Sequence, residues 1–127
     1  MLRGATEKLT GGEALVRSLI AEGVDTVFGL PGIQLDPMFN ALHDAGNKIR
    51  VVNARHEQGT AYMAYGYSAS TGKVGAYAVV PGPGLLNTTA ALSTAYGNNT
   101  RVLALTGQIP SSSIGRGHGM LHEIPHQ

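Results

Sequence analysis

The sequence predicts an α/β domain of three layers, a parallel sheet with helices on both faces. Three observations predict it. Strand-length apolar runs alternate with segments of helical period, the pattern of βαβ units. Those runs are continuous rather than alternating, as strands covered on both faces require. The 18 glycines fall at the ends of periodic segments instead of forming a low-complexity tract.

Thr10 followed by Glu13 makes a capping box that opens a helix through Val16, Leu19 and Ile20 to a stop at Gly23. Val24 to Leu30 is the first strand, closing on Pro31-Gly32. Asp36-Pro37 reads as an N-cap with proline at the first helical position, starting a helix that ends at Gly46. Ile49 to Ala54 is the second strand, and His56 to Ser70 a helix rich in small residues. Its tyrosines (Tyr62, Tyr65, Tyr67) are expected to pack that helix. Val74 to Val80 is the third strand, Pro81 to Gly84 a turn, Leu86 to Tyr96 a helix and Arg101 to Thr106 the fourth strand. No sustained period follows Gly107.

Composition narrows the function classes. Charged residues are 13% of the chain and the net charge is +1, which gives no electrostatic case for nucleic acid or an acidic membrane. Cysteine is absent, so disulfides, thiolate metal sites and a cysteine nucleophile are excluded. Met1 to Thr10 lacks the pattern of a secretory leader, and the apolar runs are short of a membrane span. A soluble chain in a reducing, cytoplasmic compartment is expected.

In open α/β sheets ligands bind beyond the carboxyl ends of the strands. Leu30 to Gly32, Arg55 to Glu57, Pro81 to Gly84 and Gly107-Gln108 should converge there, and Glu57 is the only carboxylate among them. Among small apolar neighbours its carboxyl should be desolvated and suited to proton sharing. On spacing alone the plainer role, complementing the helix dipole, has the stronger case. The Gly82-Pro83-Gly84 turn lacks the lysine and hydroxyl of a phosphate loop and reads as a plain strand-to-helix turn. Asn87 reads first as a cap. His118, His122 and His126 recur at intervals of four, but Gly117, Gly119 and Pro125 argue against a helix, and no metal site is expected.

Three motifs in order, LPG at Leu30, RHEQG at Arg55 and GPGLLN at Gly82, resemble the pyrimidine-binding domain of thiamine-diphosphate-dependent enzymes, most closely the acetolactate synthase group. The similarity runs from about Thr10 to Glu123. By this resemblance Glu57 is the glutamate that hydrogen-bonds N1′ of the cofactor's aminopyrimidine, which reverses the order of its two roles. Pro31, Gly32, Gly82 and Asn87 match positions beside the cofactor. Ile33, Gln34 and Gln108 fall on the substrate side. Leu121-His122-Glu123 stands where the synthases read Phe-Gln-Glu, so His122 points toward a related decarboxylase or acyl-CoA lyase as an alternative to carboligation.

The resemblance further implies thiamine diphosphate as cofactor, with Mg²⁺ held by a pyrophosphate-binding domain that this sequence lacks, and it admits FAD. It implies a sheet of order 2-1-3-4-6-5 and active sites built between subunits of a homo-oligomer, dimer or tetramer. Only four strands are placed here. Residues 1–127 are therefore expected to be a single N-terminal domain, incomplete at its C-terminus, whose strand 4 edge is either covered by a neighbouring chain or prone to aggregation. From another class, a non-catalytic assembly subunit retaining the fold is the competing reading; a retained Glu57 argues against it.

Overall fold

The computed structural model describes residues 7–127. Helix α1 (Gly11–Ala21) starts at the expected capping box: the Thr10 hydroxyl accepts from the Glu13 amide at 3.2 Å, and the Glu13 carboxylate accepts from the Thr10 amide at 2.6 Å. Satisfying two orphan donors at once contributes about 1 kcal/mol. Strand β1 (Thr26–Gly29), helix α2 (Asp36–Asp44), strand β2 (Arg50–Asn53) and helix α3 (Glu57–Thr71) follow. The second half contains β3 (Gly75–Val79), α4 (Pro83–Leu86), α5 (Thr89–Gly97) and β4 (Val102–Thr106).

All pairings are parallel, in the order β2-β1-β3-β4. Side-chain alternation on the two central strands divides the core. Val27, Ala76 and Ala78 face α1 and α2, whereas Phe28, Tyr77 and Val79 face α3 and α5. The three-layer α/β arrangement is thus the one the alternating pattern predicts. Double coverage, however, is complete only in the centre: β3 is buried throughout, while β2 is mostly exposed because it lies at a sheet edge. Strand β4 lies at the other edge, paired with β3 alone among the described residues, with Leu103 exposed.

Two boundaries differ from expectation. Asp36 is not an N-cap. A 3₁₀ turn over Ile33–Leu35, closed by the Leu35 amide on the Gly32 carbonyl at 2.8 Å, feeds directly into α2, so Leu35 takes the cap position and Asp36 is already helical. The expected Leu86-to-Tyr96 helix is two helices. It begins early, at Pro83, and breaks at Asn87-Thr88, where Thr88 bonds back to the Leu85 carbonyl at 2.6 Å. The tyrosines of α3 do more than pack it. Tyr62 and Tyr65 reach Thr94 and Asn98 at the α5 side, and Tyr67 reaches Asp25 beside β1.

Candidate functional site at the carboxyl ends of the strands

Parallel strands place all four carboxyl ends on one edge, and the four expected segments gather there. The Leu30 amide donates to Ala78 at 3.1 Å, carrying the β1–β3 ladder one residue further and holding the Pro31-Gly32 turn against β3. A Cβ on Gly32 would overlap Val80 Cγ1, so glycine permits this close approach. Pro31 is exposed, and Ile33 projects into solvent at 76% exposure. The Ala54 amide donates to Gly29 at 3.3 Å and brings the end of β2 alongside.

Helix α3 begins at Glu57, with His56 as its N-cap; the imidazole Nδ1 accepts from the Gln58 amide at 3.1 Å. Glu57 thus sits in the first turn, where the helix dipole favours a carboxylate. Its side chain meets α4 across the edge: Asn87 Nδ2 donates to Glu57 Oε2 at 3.0 Å. Oε1 lies near Gly84, 3.8 Å from where a Cβ there would stand, and among the described residues it has no hydrogen-bond partner. Glu57 is half-buried, so the desolvation expected from its small neighbours is only partial in this chain. Asn87 stands at the end of α4 as its C-cap rather than in the first turn of a helix as expected, and its side chain serves Glu57.

Gly82 adopts φ +65° at the end of β3, a left-handed conformation that favours glycine. A Cβ there would stand 2.8 Å from His122 Cα, because the segment after β4 curls back across this turn. The Gly82 amide donates to Gln127 Oε1 at 2.5 Å. His122 therefore reaches the site edge, half-buried, by its backbone contact. His118 and His126 lie in the same irregular segment, and among the described residues no group of three His, Cys, Asp or Glu side chains converges.

Two expected residues are drawn away. Gln108 folds onto its own turn, its Oε1 accepting from the Ile109 amide at 2.8 Å. Gln34 lines a surface depression toward α1 with Thr10, Leu15, Leu35 and Met38. A second depression, between α1 and α2, is likewise remote from Glu57.

The site also depends on residues with no motif to mark them. Tyr77 and Thr88 are fully buried, with hydroxyls 2.8 Å apart. The single Thr88 proton goes to the Leu85 carbonyl, so the Tyr77 phenol donates to Thr88. Burial pushes the Tyr77 phenol pKa up, keeping that donor protonated. A lone tyrosine in the small-residue run Gly75–Val79 was the available signal.

The result is a carboxylate with one oxygen held by Asn87 and the other near Gly84, without a hydrogen-bond partner among the described residues. That donor set fits a flat heteroaromatic ring carrying a nitrogen that accepts or shares a proton. Comparison with known proteins agrees. Residues 9–127 match the family described as thiamine pyrophosphate enzyme, N-terminal TPP binding domain. A probable 2-ketoarginine decarboxylase of Pseudomonas aeruginosa is 44% identical over 119 residues, covering 94% of this chain and 21% of that protein. Acetolactate synthase of Arthrospira platensis is 42% identical, over 87% of this chain and 20% of its own length. The large subunit from Haemophilus influenzae is 42% identical, over 86% and 19%. The chain spans about a fifth of the length of these curated relatives. No described helix is long and apolar enough to cross a membrane. With its match running from residue 9 to the last residue, the chain belongs to the family of N-terminal, thiamine-pyrophosphate-binding domains of thiamine pyrophosphate enzymes.

Proposed function

We propose that this domain holds the aminopyrimidine of thiamine diphosphate in an enzyme acting on 2-oxo acids, of the acetolactate synthase type. The observation that carries this reading is the Glu57 carboxylate, held at Oε2 by Asn87 and open at Oε1 near Gly84. Glu57 shares a proton with N1′ of the ring. Gly32 lets its turn close on Val80 and Gly82 lets the His122 segment cross it, which shapes the edge against which the ring would lie, with Pro31 beside it. When bound, thiamine diphosphate supplies the nucleophilic carbon and the electron sink for cleaving the bond beside a 2-oxo group. The diphosphate and Mg²⁺ belong, in this reading, to a pyrophosphate-binding domain, with the site completed between subunits of a homo-oligomer. Ile33 and His122 are assigned to the substrate side, His122 with the strongest claim because its segment crosses Gly82; Gln34 and Gln108 join them only on leaving the contacts described above.

A second reading within the family is decarboxylation without carboligation. The 44% identity to a probable 2-ketoarginine decarboxylase favours it, as does histidine rather than glutamine at position 122. The two readings separate on product. The assembled protein, loaded with thiamine diphosphate and Mg²⁺, is given pyruvate or a basic 2-oxo acid, and products are read by mass spectrometry. Carboligation yields a product joining two substrate skeletons; simple decarboxylation yields carbon dioxide and the aldehyde. Turnover of neither, with cofactor shown to be bound, counts against both.

A further inference from the structure

We infer that Asn87 is a positioning residue for Glu57, set in place by a buried Tyr77–Thr88 clamp at the break between α4 and α5. The inference rests on the reading of Glu57 as the proton-sharing group and adds how that group is aimed.

A carboxylate in the first turn of α3 already has the helix dipole to stabilise it, so a partner 30 positions away is not needed for folding. Asn87 is exposed, and ordering its side chain on Glu57 costs rotamer freedom. What the bond accomplishes is directional. It holds Oε2, leaving Oε1 as the oxygen available to a ligand.

The direction holds only if Asn87 itself is fixed, and that depends on the helix break. The Thr88 hydroxyl donates to the Leu85 carbonyl at 2.6 Å and accepts from the Tyr77 phenol at 2.8 Å. Both side chains are 0% exposed, and the bond between them lies out of competition with water. The clamp ties the residue next to Asn87 to central strand β3, the most buried element of the sheet. Phenylalanine at position 77 would fill the same space without the hydroxyl, which makes the clamp separable from the packing.

Two measurements test this. In cofactor-free protein, the ¹⁵N-labelled Asn87 side-chain amide should resonate away from the position of a solvated amide. It should return there in Glu57→Ala and move part of the way in Tyr77→Phe. In the assembled protein, Asn87→Asp should slow deuterium exchange at C2 of bound thiamine diphosphate by about tenfold, because a donor is replaced by a like charge facing Glu57. Aspartate has nearly the shape of asparagine, so a purely structural role predicts wild-type exchange.

An Asn87 amide unmoved by Glu57→Ala overturns the inference, as does wild-type exchange in Asn87→Asp while Glu57→Gln is slow. Wild-type exchange in Glu57→Gln overturns the underlying reading of Glu57 instead, and the inference falls with it even where the amide shift is seen.

Discussion

Two carboxylates stand at opposite ends of the sheet, and their surroundings contrast. Asp25, just before β1, is saturated by its own chain. Its Oδ1 accepts from Tyr67 at 2.5 Å and Thr26 at 3.0 Å, and its Oδ2 from Lys73 at 2.5 Å. Lys73, then Tyr67 and Thr26, lower its pKa to about 2, and in return Asp25 raises that of the Tyr67 phenol. These bonds tie the start of β1 to the end of α3 and to the loop entering β3. Glu57, at the carboxyl ends, has one partner on one oxygen. A carboxylate whose oxygens are all engaged within the fold is a staple. One left half-engaged at the carboxyl ends of the strands is available to a ligand.

The contrast predicts opposite phenotypes. In the assembled enzyme, Glu57→Gln should lower turnover by about 100-fold or more with the fold intact, as loss of a positioned acid–base group does. Asp25→Asn should change it by less than about twofold, since that residue lies outside the site. Steady-state kinetics with circular dichroism as a fold control decides between them; equal losses would erase the distinction.

Next in size is Gly82→Ala. Alanine at φ +65° is strained and its Cβ meets His122, so a loss of about 1–2 kcal/mol in stability is expected. Weaker cofactor binding should accompany it. Denaturant unfolding and calorimetric titration measure the two effects, and an unchanged affinity would remove the Gly82 turn from the cofactor site.

Asp25→Asn should cost about 0.5–1 kcal/mol in denaturant unfolding, the low end for an ion pair because the carboxylate is half-exposed and screened. Its pH dependence has a fixed sign. With the folded pKa below the unfolded value, the stabilisation is present above about pH 4 and is lost as pH falls toward about 2. Acid titration of stability should therefore be shallower in that window for Asp25→Asn than for the parent. A steeper one would mean Asp25 is not the group responsible.

The same contrast marks what could be read from sequence. The capping box at Thr10 and the gathering of Pro31-Gly32, Glu57 and Gly82 at one edge follow from local pattern and parallel topology, whereas the strand order comes only from the family resemblance. The Asn87–Glu57 bond and the Tyr77–Thr88 clamp do not, because each joins residues that only tertiary packing brings together. The early start of α4 and its break escaped for a related reason. The apolar spacing from Leu86 to Tyr96 reads as one helix despite the weak helix formers Asn87, Thr88 and Thr89, and the buried hydroxyl contacts of Thr88 mark the break. Gln108 shows the converse: its motif points at the site, yet the nearest backbone amide captures the side chain.

The sharpest test is the nitrogen resonance of N1′ in ¹⁵N-labelled thiamine diphosphate bound to the assembled protein at mildly alkaline pH. With Glu57 sharing a proton at that atom, the resonance should be displaced from its free-cofactor position in the parent and in Asp25→Asn, and should return toward it in Glu57→Gln. The same N1′ resonance in all three proteins, with cofactor bound in each, would contradict the role of Glu57.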